Sequence, residues 1–314
     1  MVSKKIVITG GAGFIGSSLA EEFVKKHDVI VIDDLSTGKM DNIQDLIHNE
    51  NFKFVKCSVT DLGSLKKIFQ DVSCVFHQAA IPSVQRSVEN PAATNEANVT
   101  GSLNVLIAAR DCGVEKVVYA SSSSVHGDTP ELPKREDMIP NPISPYAVSK
   151  LVGEYYCKVF SEIYGLKTVS LRYFNVYGPK QDPASEYAAV IPRFITKVLS
   201  NKPPIIYGDG NQTRDFTFVK DVVKANLLAM EKNVEGVFNI AYGKRVSVNQ
   251  LSTKIIKMLG KNLKPIYSEP RYGDIRHSLA DISKAKNKLG YEPRYDLDKG
   301  LEVTINWFQF LMRK

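Results

Sequence analysis

Tyr146, Lys150 and Ser122 are the residues of this chain best equipped to move a proton. Tyr146 and Lys150 stand four apart in Tyr146-Ala-Val-Ser-Lys150, so on a helix they share a face one turn apart. An ammonium about 5 Å from a phenol, at an effective dielectric of about 20, favours the phenolate by about 3 kcal/mol. That brings a phenol from about 10 toward the pH at which it can trade protons. Ser122 closes a hydrophobic run, and its hydroxyl, set beside the phenol, can pass that proton to or from a substrate oxygen. The set suits removal of a proton from an alcohol while something else removes its hydride. Tyr-x-x-x-Lys by itself occurs by chance in many helices. Its weight comes from what begins at residue 4.

Lys4 to Thr9 reads as a short buried strand, and Gly10-Gly-Ala-Gly13-Phe14-Ile15-Gly16 follows at once. An amphipathic stretch runs from Phe14 to Lys26, and a second apolar run, Val29 to Ile32, ends at Asp33. Strand, glycine turn, helix and strand with a terminal acid make a dinucleotide-binding unit. The glycines permit the tight turn and bring backbone against a pyrophosphate seated on a helix N-terminus. Asp33, 17 residues after Gly16, is placed to accept from the adenosine ribose hydroxyls. A carboxylate there repels a 2′-phosphate, so NAD is expected rather than NADP. The spacing G-x-x-G-x-x-G is the variant associated with short-chain dehydrogenase/reductase enzymes.

Strand and helix alternate up to about residue 175. Phe52 to Lys56 and Cys74 to His77 read as strands, with a helix capped by Asp61 between them. A long helix is expected from Pro91 to Cys112, then a strand, Lys116 to Ala120. The helix bearing Tyr146 and Lys150 runs to about Tyr164, before a strand from Lys167 to Arg172. Such alternation predicts an α/β fold, a doubly wound parallel sheet with ligands at the strand carboxyl ends. Gly10, Asp33, Gln78, Ser122 and Asn175 all fall at such ends. After Asn175 the elements shorten, as a smaller C-terminal α/β substrate lobe would require. The expected division is an NAD-binding Rossmann domain over 1–176, with a return of about 214–242, and a substrate lobe over 177–314.

Bulk properties fit a cytoplasmic enzyme. The chain of 314 residues can bury a large core and a second small one. Cys57, Cys74, Cys112 and Cys157 show neither paired nor metal-ligand spacing, and the five histidines add none, so no metal site is expected. The first strand starts too early for a signal peptide, and no apolar run approaches the ~18 residues of a membrane span. The net charge of +7 is dispersed among acids, which argues for a solvated surface and against nucleic acid or membrane as a partner.

The blocks Gly10 to Gly16, His77-Gln-Ala-Ala80, Ser121 to Gly127, Ser144 to Lys150, Leu171 to Pro179, Thr213-Arg-Asp-Phe216 and Gly273 to Ser278 span the chain. On these blocks it resembles the extended short-chain dehydrogenase/reductases, and within them the nucleotide-sugar 4-epimerases, especially those acting on UDP-N-acetylglucosamine. The resemblance implies that Ser122, Tyr146 and Lys150 are catalytic. It implies NAD contacts from Gly10, Gly13, Phe14, Ile15, Gly16, Asp33, Ser36, Thr37, Gly38, Ser58, Val59, Gln78, Ala79, Ala80, Asn98, Tyr146, Lys150 and Tyr173. It implies UDP-sugar contacts from Ser83, Ser122, Ser123, Ser124, Tyr146, Asn175, Ala189, Val190, Tyr207, Arg214, Arg271 and Ser278. Arg214 and Arg271 match the family's diphosphate-binding arginines, whose forked donors suit the task.

Two positions depart from the family pattern: His126 replaces the usual Tyr before Gly127, and Ser58 replaces an acid that often contacts adenine. Ser123 and Ser124 stand where 4,6-dehydratases place Asp-Glu, which argues against water elimination. Ser278 stands where epimerases restricted to UDP-glucose and UDP-galactose place a large Tyr, which implies room for a 2-acetamido group. The implied reaction is 4-epimerisation through a 4-keto sugar, favouring UDP-GlcNAc and UDP-GalNAc. An enzyme restricted to UDP-glucose and UDP-galactose, one of the UDP-glucuronate type, or a non-catalytic NAD(H)-binding module are the alternatives. The family also implies a homodimer packed through the two long helices, with Val99, Leu103, Leu106, Ile107, Val152, Tyr156 and Val159 offering the apolar face.

Overall fold

The computed structural model describes residues 3–183, 189–270 and 275–313. Seven parallel strands form its central sheet: β1 (Lys5–Thr9), β2 (Asp28–Asp33), β3 (Phe52–Lys56), β4 (Cys74–His77), β5 (Lys116–Ser122), β6 (Lys167–Tyr173) and, far along the chain, β11 (Gly236–Ile240). Their order is β11-β6-β5-β4-β1-β2-β3. β1 pairs with both β2 and β4, so the direction of winding reverses there and the carboxyl ends of β1 and β4 open a crevice. Gly10 and Gln78 stand at its lip.

Both faces of the sheet are covered, which is why β1 and β4 read as unbroken apolar runs. α1 (Phe14–Phe23) and α8 (Val219–Glu231) pack on one face, where Ile6, Ile8, Leu19, Phe23, Phe76, Val222 and Phe238 share a core. α2 (Leu62–Ile68), α5 (Gly101–Asp111) and α6 (Pro145–Tyr164) cover the other, around Val7, Phe69, Val117, Tyr119 and Phe160. Asp61 caps α2 as expected, accepting from Ser64 N. Ser144 caps α6 by accepting from Ala147 N, Pro145 opens it, and Gly165 closes it in the left-handed region.

The predicted long helix is continuous but not uniform. After the short α3 (Val84–Glu89), α4 (Pro91–Asn95) passes into a π-helical turn, Glu96–Thr100, before α5 begins. The wider turn carries Asn98, whose carboxamide bonds to both backbone groups of Ile81. α1 is shorter than its amphipathic pattern, ending at Phe23.

The smaller lobe holds the two-stranded pairs β7 (Val176–Tyr177) with β10 (Thr217–Phe218), β8 (Ile205–Tyr207) with β13 (Ile266–Ser268), and β9 (Thr213–Asp215) with β12 (Arg245–Ser247). They pack with α7 (Val190–Leu199), α9 (Val248–Met258) and α10 (Leu297–Leu311) around Phe194, Ile206, Phe218, Leu251, Leu301 and Phe308. No helix among the described residues is long and apolar enough to cross a membrane.

Candidate active site

The glycine loop is shaped to take a ligand. Gly10 has φ +66°, and a Cβ there would lie 2.6 Å from Ala79 N. A Cβ on Gly16 would lie 2.2 Å from the Gly10 carbonyl oxygen. Both must therefore be glycine for β1, β4 and α1 to meet. Gly13 caps α1 without a side-chain acceptor, so the first-turn N–H groups of α1 face the crevice and suit a pyrophosphate.

Gly10, Gly13, Phe14, Ile15, Gly16, Asp33, Ser36, Thr37, Ser58, Val59, Gln78, Ala79, Ala80, Tyr146, Lys150 and Tyr173 line one elongated pocket. Ile32, Asp34, Cys57, Ile81, Pro82, Ala97, Ala120 and Ser121 complete it and were not read from sequence. Asp34 was the accessible signal among them, a second acid at the ribose end of β2. Asp33 accepts from Ala12 N at 2.9 Å and Leu35 N at 2.8 Å. Burial pushes its carboxyl up and those two N–H groups pull it down. Each oxygen retains acceptor capacity for a ribose hydroxyl. Gly38 lies behind this acid, where a Cβ would come within 2.7 Å of Asp33 Oδ1, and does not line the pocket.

Asn98 is not a lining residue either. It is buried, gives one amide hydrogen to Ser149 Oγ at 3.0 Å, and Ser149 donates to the Tyr146 carbonyl at 2.8 Å. Asn98 thus braces the helix that carries Tyr146. His77 joins Thr9 Oγ1 at 2.7 Å to Ser102 Oγ at 2.9 Å, and burial, with the charge of Lys150, pushes it down to about 3.

At the other end of the pocket stands Tyr146, and the neighbouring Ser122 hydroxyl opposes the effect of burial on its phenol. Ser122 Oγ accepts from Ser124 Oγ at 2.9 Å and Ser124 N at 3.2 Å, which leaves its own proton for the phenol oxygen. Ser124, expected to line the sugar pocket, holds the Ser122 oxygen through these two bonds. The expected ammonium-stabilised phenolate needs correction. Burial dominates and raises Tyr146, with only the Ser122 hydroxyl lowering it. Lys150 lies 5.9 Å from the Tyr146 ring centroid and donates to the Ala120 carbonyl at 2.9 Å. Burial lowers Lys150 to about 8. Helical spacing placed the pair on one face but carried no information about the dielectric around it.

The other residues expected to contact the sugar are spread over both parts of the molecule. Asn175, at φ +36°, donates to the Asp215 carbonyl at 3.3 Å. Arg214 lies in β9, bonded to the Thr213 carbonyl at 2.9 Å, and Ser278 N donates to that residue's carbonyl at 3.0 Å. Asp215 binds the next segment: its carboxylate accepts from Tyr242, Gly243 and Ala280 N–H groups. Burial pushes it up to about 7. Tyr207 stacks 5.2 Å from the Arg193 guanidinium, Ala189 caps α7 and Val190 opens it, Ser83 caps α3, and Ser123 opens the turn after β5. Arg271 lies outside the described residues. Among the described residues no group of three or more His, Cys, Asp or Glu side chains could hold a metal ion.

A cofactor crevice at the switch point of a parallel sheet, with a Tyr-Lys-Ser set at its end, is matched by family comparison. The profile of the NAD dependent epimerase/dehydratase family covers residues 6–241. The chain belongs to that family. A putative UDP-glucose 4-epimerase of Methanocaldococcus jannaschii is 44% identical over 97% of this chain and 98% of its own length. The structure is similar to UDP-N-acetylglucosamine 4-epimerase from Methanobrevibacter ruminantium in complex with UDP-N-acetylmuramic acid. That match has TM-score 0.96 and 43% identity, covering 99% of this chain and 100% of the other. UDP-glucuronic acid 4-epimerase from Bacillus cereus, solved with UDP-glucuronic acid and NAD, matches with TM-score 0.91 and 34% identity, over 98% and 99% of the two chains. The protein is an NAD-dependent enzyme of the UDP-sugar 4-epimerase family, and the glycine cradle and Asp33 fit that cofactor.

Proposed function

We propose that the enzyme interconverts the C4 epimers of UDP-hexoses through a transient 4-keto sugar, with UDP-GlcNAc and UDP-GalNAc preferred and UDP-glucose and UDP-galactose accepted. The observation that carries the reaction is the Tyr146–Lys150 pair lining the cofactor pocket, with Ser122 closing β5 next to the phenol. NAD+ when bound supplies a hydride acceptor and a positive charge beside the phenol. Ser122 orients the sugar 4-hydroxyl, and Tyr146 takes its proton and returns one to the 4-keto oxygen. Lys150, fixed on the Ala120 carbonyl, provides a cation behind the phenol and a donor for the nicotinamide ribose. Arg214, with Arg271, holds the diphosphate while the sugar turns to present its other face.

Ser278 supports the preference. It is small, 8% exposed, and held through its backbone beside the Arg214 strand. A Tyr at that position would fill the space an acetamido group needs in both sugar orientations. The relative from Methanobrevibacter, named for UDP-N-acetylglucosamine, agrees with this. Incubation with UDP-GlcNAc, UDP-glucose and UDP-glucuronate, with and without added NAD, tests the reading by chromatography of the products. UDP-GlcNAc should be interconverted fastest, and no interconversion of any of the three overturns it.

We infer the division into an NAD-binding part, 1–176 with a return of 214–242, and a UDP-sugar part, 177–314. The return of β11 to the main sheet and the separate lobe core support it. Four free thiols support a cytoplasmic setting. A homodimer is supported by apolar side chains left outward on α6, Val148, Tyr155, Val159 and Ile163, beside Val84 and Val88 of α3. Of the face read from sequence, Leu106 instead packs inward, and Leu103, Ile107 and Tyr156 lean on the same core.

A further inference from the structure

Behind the Ser122–Tyr146 pair lies a buried charge pair that the reaction as written does not use. Glu154 and Arg172 are 4% and 3% exposed. They meet as a fork: Arg172 Nε donates to Glu154 Oε1 at 2.8 Å and Nη2 to Oε2 at 2.7 Å. Glu154 Oε1 accepts a third bond, from the Ser121 hydroxyl at 2.5 Å. Arg172 Nη1 lies 3.4 Å from His126 Nε2, and burial, with the charge of Arg172, pushes that ring down to about 3. The histidine that departs from the family pattern is thus a neutral neighbour of the arginine.

The placement of this pair is specific. Tyr146, Lys150 and Glu154 follow one another at four-residue steps along one face of α6. Each meets one of the last three residues of β5. Lys150 donates to the Ala120 carbonyl, Glu154 accepts from the Ser121 hydroxyl, and Ser122 is the neighbour that lowers the Tyr146 phenol. Arg172 stands opposite Ser121 in the β5–β6 ladder, so the carboxylate is held from the neighbouring strand as well.

An apolar pair would join these elements without the cost of desolvating two charges, and often more stably. It could not fix a direction. The fork sets the plane of the carboxylate, and the carboxylate sets the Ser121 hydroxyl. With the Lys150–Ala120 bond, the Glu154–Ser121 bond fixes α6 against the end of β5, and so fixes where Tyr146 on the helix stands relative to Ser122 on the strand. We propose that Glu154, held by Arg172, is a positioning residue that acts through Ser121 to keep α6 in register with β5, and so to hold Tyr146 beside Ser122. The proposal rests on the 4-epimerase reading above and adds to it a residue that touches neither sugar nor cofactor.

The sharp test is Ser121→Ala in the NAD-loaded enzyme, because it cuts the contact and leaves the Glu154–Arg172 pair intact. Turnover should fall about tenfold while KM for the UDP-sugar and the thermal midpoint stay at wild-type values. Ser121→Thr, which keeps a hydroxyl, should recover most of the rate. Adding Ser121→Ala to Glu154→Gln should cost no further turnover, as expected for two members of one contact. A readout without sugar separates failure here from failure of the epimerase reading. Tyr146 ionisation, followed by phenolate absorbance against the Tyr146→Phe variant, should move upward in Ser121→Ala as the phenol loses its register with Ser122. Wild-type turnover together with an unmoved Tyr146 in Ser121→Ala would overturn the proposal.

Discussion

One proton of the Lys150 ammonium is committed to the Ala120 carbonyl, 2.9 Å away. The lysine is therefore a fixed cation behind Tyr146 and not a partner that swings to meet it. It stands 5.9 Å from the centre of the Tyr146 ring, and its position is set by the strand that also carries Ser122.

Tyr146→Phe should retain fold and NAD affinity, because the ring keeps its packing, and lose most turnover. A loss of about 10²- to 10⁴-fold is expected for removing a proton carrier of this kind. Product chromatography and NAD titration on the same preparation check it. Near-normal turnover would require a different base.

Turnover should decline above about pH 8 as Lys150 loses its charge. The effect on stability has the opposite sign. Between about 8 and the ordinary lysine value of 10.5 the unfolded chain binds more protons than the folded one, so this group makes folding more favourable as pH rises. A pH–rate profile recorded beside thermal midpoints should show activity falling while Lys150 itself contributes no loss of stability. Activity that falls only where the midpoint collapses would defeat this assignment.

Ser278→Tyr should abolish turnover of the acetylated sugars and leave UDP-glucose turnover within a few-fold of wild type. Parallel kinetics on UDP-GlcNAc and UDP-glucose decide the matter. If both activities survive the added ring, Ser278 is not the gate.

Tyr155 is 55% exposed on α6, in the middle of the outward apolar row. Light scattering should give twice the 34.9 kDa chain mass for the wild type, and Tyr155→Glu should shift it toward the single-chain mass. A wild-type monomer at micromolar concentration would refute the dimer.

The sheet was legible because its buried strands are short apolar runs separated by helical periodicity, and each ends on a residue type with a ligand-facing role. Gly10, Asp33, Gln78 and Ser122 all stand where that reading placed them. Side-chain partnerships between strands were not legible. Nothing in the spacing of Glu154 and Arg172 marks them as partners, since β5–β6 pairing brings Arg172 to Ser121 across fifty residues of chain. Asn98 was read as a cofactor contact because family position says nothing of which way a carboxamide turns in a π-helical turn. The protonation of Tyr146 depends on how much water its neighbours exclude, which no local pattern reports.

Two main-chain N–H groups help hold the segment around Ser278: its own on the Thr213 carbonyl, and that of Ala280 on the Asp215 carboxylate. Neither bond depends on what side chain residue 278 carries. Residue 278 can therefore exchange one side chain for another with both of these bonds kept. On the reading proposed above, a single codon change there would alter which sugar fits and leave Ser122, Tyr146 and Lys150 on β5 and α6 as they are.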